Sequence, residues 1–291
     1  MFIANQIKIN TMLQKNSLIT KLSLITLSLV LILAACQKMK RPSLSDYAKD
    51  SSPPGGPLKF YAAFDGTSTD VLRNAVDSVR ANFAATNPLT SVTGISGKAV
   101  QGADGKTITW ASANDFKTAT SFSIALWMKN TPAVGRTEFV FSLVDDKYGW
   151  HHSAIFLLVE NQTSTQTTMK LGLMDQWLEG TLSKPLFDGN WHHIVYSYDQ
   201  TTSKMTYYFD GAVVTGMNAA QTDVKNGGSP RGAVDLSAAK KLILGGWNKN
   251  GGADGPTDDW IKTYTGAMDQ FRLYSKALSA AEVSALYTNK L

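Results

Sequence analysis

Between residues 58 and 274, apolar side chains recur at alternate positions in short runs, and turn-forming residues separate the runs. Period two marks a strand with one buried face. Residues 58–64, 121–129, 139–144, 154–160 and 168–174 read this way, as do 191–198, 204–209, 212–215, 241–244 and 266–274. In the second run Phe122, Ile124, Leu126 and Met128 share a face. Residues 199–203 join two runs as a hairpin, and Asp210-Gly211 turns the chain into the next. The period changes only near the end. There Ser279 and Glu282 form a capping box ahead of Val283, Leu286 and Tyr287, which predicts a helix of one to two turns. The expectation is an all-β sandwich of two antiparallel sheets with a short C-terminal helix, occupying residues 58–291.

The first 57 residues have a different character. Residues 1–35 carry Lys8, Lys15 and Lys21 but no acid, and end in an apolar run over 22–33. A basic start and an apolar stretch too short to span a bilayer comfortably read as a secretory signal, with Met1 and Met12 both open as its start. Cys36, the single cysteine, follows Leu33-Ala34-Ala35. This resembles the lipobox of bacterial lipoproteins, which implies cleavage before Cys36 and lipidation of its thiol. A lone thiol there has no disulfide partner to explain it. Residues 36–57 are polar and end in Ser51-Ser52-Pro53-Pro54-Gly55-Gly56-Pro57, a composition for a tether and not a core. The expected location is the cell envelope, held to a membrane by lipid alone.

Charge excludes one class of partner. The chain carries a formal +5. Removal of residues 1–35 leaves 25 basic against 23 acidic residues, or +2, with no clustered basic face for nucleic acid.

The run Gly266-Ala267-Met268-Asp269-Gln270-Phe271-Arg272-Leu273-Tyr274, followed by Ala277-Leu278-Ser279 and Glu282, resembles the terminal motif of laminin-G-like domains in the concanavalin A-like lectin/glucanase superfamily. That motif is close to G-x-[IM]-D-x-[FV]-R-[LI]-Y-x-x-A-L-S-x-x-E. Phe122–Lys129, Trp191-His192-His193-Ile194-Val195, Tyr208-Phe209-Asp210-Gly211 and Leu242-Ile243-Leu244-Gly245-Gly246 are similar to further family segments, in the family's order. Residues 70–86 depart from it, reading as a polar or partly helical insertion. The resemblance implies a jelly roll. Lectins, hydrolases and structural modules all use that scaffold, so the chemistry must come from the residues.

Catalysis on this fold uses an E-[ILV]-D-x-x-E strand that sets two carboxylates about 5–5.5 Å apart. Only Glu138, Glu160, Glu179 and Glu282 are available, and no two have alternate-residue spacing. Asp175 and Glu179 form the nearest local acidic pair, in a stretch that reads as a loop. The chain is therefore expected to be non-catalytic, with a glycoside hydrolase and a structural or protein-docking module as alternatives. His192 and His193 read as hydrogen-bonded framework residues, whereas His151 and His152 lie in a loop open to a ligand. Asp269 is expected on the core-facing side with Phe271 and Leu273, where a carboxylate is costly unless paired or bound to a cation. The resemblance implies a structural calcium there, with Asp65 as the second carboxylate and loop carbonyls completing the shell.

Trp127 and Trp191 read as core. Trp110, Trp150, Trp177, Trp247 and Trp260 fall at strand ends or in Gly/Asp-rich loops. Flat apolar faces beside hydroxyl acceptors suit sugars. A glycan is the expected partner, with Trp150, Trp247 and Trp260 as platforms and Asp146, Asp254 and Asp258 as acceptors.

Overall fold

The computed structural model describes residues 56–65, 88–182 and 184–290, all within a compact unit that spans Ser52–Leu291. The expected signal, Cys36, most of the tether and the insertion at 70–86 lie outside the described residues.

Among the described residues, seventeen strands follow in chain order. They are β1 (Leu58–Ala62), β2 (Thr90–Thr93), β3 (Lys98–Gln101), β4 (Ile108–Trp110), β5 (Phe122–Lys129), β6 (Thr137–Val144), β7 (Ser153–Glu160), β8 (Thr167–Leu173) and β9 (Gln176–Leu182). Then come β10 (His192–Asp199), β11 (Lys204–Phe209), β12 (Ala212–Val213), β13 (Lys225–Asn226), β14 (Ser229–Pro230), β15 (Lys241–Leu244), β16 (Ile261–Thr263) and β17 (Ala267–Tyr274). One sheet runs β12-β11-β10-β5-β17-β3-β2, with β1 also on β17. The other runs β4-β15-β6-β7-β8-β9, with β16 parallel to β6. The inner faces meet in one core that includes Phe122, Ile124, Leu126, Ile155, Leu157, Leu171, Tyr196, Tyr198 and Phe271. This is the expected jelly-roll sandwich.

The terminal helix, Ala280–Asn289, is longer than expected. Ser279 caps it as read from the sequence: its side chain accepts the Glu282 N–H, and Glu282 accepts back from Ser279. Val283 and Leu286 join Leu58, Val195, Tyr208 and Tyr274 on the outer face of the first sheet. Tyr287 stacks on Trp127 at 5.5 Å and 21°.

Two expectations are corrected. The stretch around Asp175 and Glu179 is not a loop: Met174 and Asp175 make a tight turn and β9 begins at Gln176. In β17 the register moves from Asp269 opposite Trp127 to Arg272 opposite Ala125, so one extra residue is inserted at Gln270, whose φ is 48°. A bulge shifts side-chain alternation by one. Asp269 therefore falls on the Trp127 side, away from the face that carries Phe271 and Leu273.

Candidate aromatic binding face

Residues directly opposite one another in neighbouring strands share a face. In the second sheet Ser142 pairs with Phe156, Phe156 with Gly172, and Gly172 with Trp177. The adjacent row is Phe139, Leu158, Lys170 and Glu179. Both rows lie on the outer face, because the intervening Phe141, Leu157, Leu171 and Leu178 enter the core.

Among the described residues no α-helix covers this face. Its floor is Phe139, Phe156, Leu158 and Ile261, with the indole of Trp247 set edge-on to Phe139 at 4.0 Å and 4.6 Å from Phe156. Gly172 makes room for the floor. A Cβ there would lie 2.0 Å from the Phe156 ring. Above the floor sit three indoles. Trp150 stacks 6.1 Å from Trp247 and 6.3 Å from Trp177, and meets Trp260 at 6.5 Å and a steep angle. Trp150 is 50% exposed and Trp260 44% exposed. Trp177 is partly buried.

Two loops deliver Trp150 and Trp260, while Trp177 stands on β9. Asp145 begins the β6–β7 loop as an Asx turn, its Oδ1 accepting the Lys147 N–H, and its own N–H donates to the His152 carbonyl. Trp150 sits at the tip of the loop so closed. The loop after β15 is anchored by Asn248, which is fully buried. Its Nδ2 donates to the carbonyls of His151, His152 and Asp254, and its Oδ1 accepts from Ser142 and Ser153. One amide thus ties the Trp247 loop to the Trp150 loop. The sequence reading does not single out Asn248, and it groups Trp177 with the loop tryptophans without choosing it as a platform. An asparagine among turn residues gives no sign of burial, and the stretch around Trp177 reads as a loop.

Trp247 is corrected: it is completely buried and offers no ring face to a ligand. Its indole turns back from the Gly/Asn-rich loop to seal the sheet. Trp110 is also not a surface ring, since it packs edge-on to Phe60 at the margin of the core. Asp254 lies at the rim, its Oδ2 3.9 Å from His152 Nδ1. Asp258 and Asp259 are exposed and precede Trp260. Asp146 is paired with Lys240. His151 is buried, which lowers its pKa, and its Nδ1 accepts from the Ser153 amide, so it supports the loop rather than presenting a ligand.

Asp175 lies in the turn before β9, and Glu179 stands within the strand. Glu179 is occupied by Lys170, which Glu160 also holds.

On the other sheet, the His192 ring lies between two carboxylate acceptors, Asp210 Oδ2 2.8 Å from its Nδ1 and Asp188 Oδ1 3.1 Å from its Nε2. His193 is corrected. It lies beside Trp127, neither ring nitrogen has a partner among the described residues, and burial lowers its pKa to about 3.

The expected calcium residues do converge, on the turn at residues 94–97. Asp269 Oδ2 accepts the Ile95 N–H at 2.9 Å, and Asp65 Oδ1 accepts the Lys98 N–H at 2.8 Å. Asp269 is fully buried with Oδ1 unpartnered, and burial, with Asp65 adding to it, lifts its pKa to about 7. An orphaned carboxylate oxygen beside a second carboxylate fits a hard cation. Among the described residues no third His, Cys, Asp or Glu joins them.

No curated protein matches the chain. Solved structures similar to it include a heptameric SAP-like pentraxin from Limulus polyphemus, 13% identical over 70% of this chain and 78% of that one, with a TM-score of 0.43. Others are the CBM40 of a Ruminococcus gnavus IT-sialidase bound to α2,3 sialyllactose, at 12% identity, 65% and 96% coverage and a TM-score of 0.47, and domain 4 of AbnA, a GH43 extracellular arabinanase from Geobacillus stearothermophilus, with arabinotriose. The last is 17% identical over 80% of this chain and 98% of that one, again with a TM-score of 0.47. The family model Laminin_G_3, described as concanavalin A-like lectin/glucanases superfamily, matches residues 102–284. With well over half of its length matched, the chain belongs to the concanavalin A-like lectin/glucanases superfamily.

Proposed function

We propose that this domain is a non-catalytic carbohydrate-binding module, and that its site is the outer face of the β6–β9 sheet. One observation carries the reading: Trp150, Trp177 and Trp260 crown a buried aromatic floor, with two of the three rings about half open to water. Solvent-facing indoles held rigidly from below supply the apolar platform on which a sugar ring stacks. Asp254 and Asp258 at the rim supply hydroxyl acceptors.

A glycan array probed with the purified domain tests this. Wild type should bind at least one carbohydrate class, and Trp150→Ala and Trp260→Ala should lose it without unfolding. A folded domain with a blank array would favour a protein-docking role for the same face.

The reading includes two further parts. Cys36 carries a lipid that holds the domain in the cell envelope, so Cys36→Ser should release it from membranes and end lipid labelling. Asp269 and Asp65 hold a structural calcium, whose chemistry there is charge neutralisation and cross-linking of the 94–97 turn to β17.

A further inference from the structure

We infer that the aromatic face selects uncharged glycans and rejects acidic ones. This deepens the carbohydrate-binding reading and rests on it. Recognition of a carboxylated or sulfated sugar calls for a guanidinium or ammonium group directed at the anion, ideally in the forked geometry of arginine. The described residues contain three arginines, and none is available on this face. Arg136 is held by Asp104 and Glu138. Arg231 lies against Met174, and Arg272 is buried in the other sheet beside Gln270 and Tyr61.

Three lysines near the face are similarly engaged, while Lys262 on β16 is exposed beside the floor residue Ile261. Lys170 lies between Glu160 and Glu179 at 2.8 and 3.2 Å. Lys249 donates to the Asp258 carbonyl, and Lys241 to the carbonyls of Gly251 and Gly252. Their ammonium groups fasten loops and strands in place.

Carboxylates, by contrast, face the solvent around the indoles. The Asp254 side chain is 83% exposed and the Glu179 side chain 59%. Asp175, Asp258 and Asp259 are exposed at the turn before β9 and the residues before Trp260. An approaching anion therefore meets like charge from two sides of the platform. A neutral sugar meets acceptors for its hydroxyls. Like-charge juxtaposition of this kind discriminates between ligands by penalising the wrong one.

Native affinity electrophoresis in gels containing neutral polysaccharides (β-glucans, xylans, arabinans, mannans) or acidic ones (polygalacturonate, heparin) reads this directly. The inference expects retardation by at least one neutral polymer, its loss in Trp150→Ala, and free migration through the acidic gels. The triple variant Asp254→Asn, Asp258→Asn, Asp259→Asn should narrow the neutral-to-acidic preference by about tenfold or more, because three like charges facing an approaching anion are gone. Retardation by an acidic polymer equal to or stronger than by any neutral one, lost in Trp150→Ala, would overturn the inference and leave the carbohydrate reading standing. Free migration in every gel by a folded protein would overturn both.

Discussion

Trp150 and Trp247 lie nearly parallel, their ring centroids 6.1 Å apart and their planes 20° from one another, yet one is half exposed and the other sealed from water. The pair separates platform from foundation. Truncating Trp247 removes a fully buried indole that touches Phe139 and Phe156, so Trp247→Ala should cost about 3–5 kcal/mol. Trp150→Ala should change the denaturant midpoint far less, while ending glycan binding. Chemical denaturation of both variants beside an array measures the split, and a large loss of stability in Trp150→Ala would make it another piece of core.

The floor depends equally on Gly172. The Phe156 ring lies across the glycine, and a methyl group there would sit 2.0 Å from it. Phe156 is itself packed by Trp177 and Trp247, leaving it no direction in which to yield. Gly172→Ala should destabilise by roughly 1–3 kcal/mol through overpacking and should alter the near-ultraviolet signal of the indoles. A variant as stable as wild type with an unchanged spectrum would show that the ring moves freely.

The sheets were legible in the sequence because long inner strands such as β5, β7 and β10 alternate or run apolar for seven or eight residues. The short strands β2, β3 and β16 were not, since three or four residues hold too little periodicity to separate from loop. β9 was missed because its outer residues include Glu179 and its turn is only Met174 and Asp175. Within the site, the loops that bear Trp150 and Trp260 were readable from aromatics among turn residues. Whether a loop tryptophan faces outward or folds back, as Trp247 does, depends on a contact across the sheet that no local pattern encodes. The bulge at Gln270 is a similar case: one inserted residue reversed the face expected for Asp269.

Asn248 should be among the least replaceable residues of the aromatic face. Asn248→Ala removes an acceptor of the Ser142 and Ser153 hydroxyls and a donor to three loop carbonyls, while the His151 and His152 carbonyls keep the Ser153 hydroxyl and the Asp145 N–H. Unsatisfied buried groups cost about 1–3 kcal/mol each before relaxation, so a loss of about 3 kcal/mol is expected. Hydrogen exchange should also quicken at residues 145–152, across the tie. Unchanged protection in that loop would mean it is held independently of Asn248.

His192 gives stability a dependence on pH. Burial lowers its pKa, but hydrogen bonds and charge from Asp210 and Asp188 outweigh this and the net shift is upward. A histidine raised in the folded state contributes stability that is complete below its unfolded value near 6.5. That contribution is lost as pH rises through the folded value. Thermal stability should therefore fall on going from mildly acidic to mildly alkaline buffer, and His192→Gln should flatten that part of the profile. A profile identical in wild type and variant would remove His192 as its source.

The buried carboxylate of Asp269 makes the strongest case for a measurable metal effect. Its Oδ1 has no partner among the described residues, and the nearby, partly exposed Asp65 adds negative charge. A cation bound there offsets both costs, and a ligand specific to the folded state stabilises it by about 2.7 kcal/mol at a hundredfold excess over its dissociation constant. The melting temperature should drop in chelator and recover with added calcium. Asp269→Asn keeps the side chain's shape and its acceptor for the Ile95 amide while removing the charge that draws the cation. That variant should lose the calcium response, and in chelator it should melt at or above wild type, because the uncompensated buried charge is gone. A calcium response surviving in Asp269→Asn would place the ion elsewhere, and an equal melt of wild type with calcium or chelator would leave the two carboxylates as acceptors for the 94–97 turn alone.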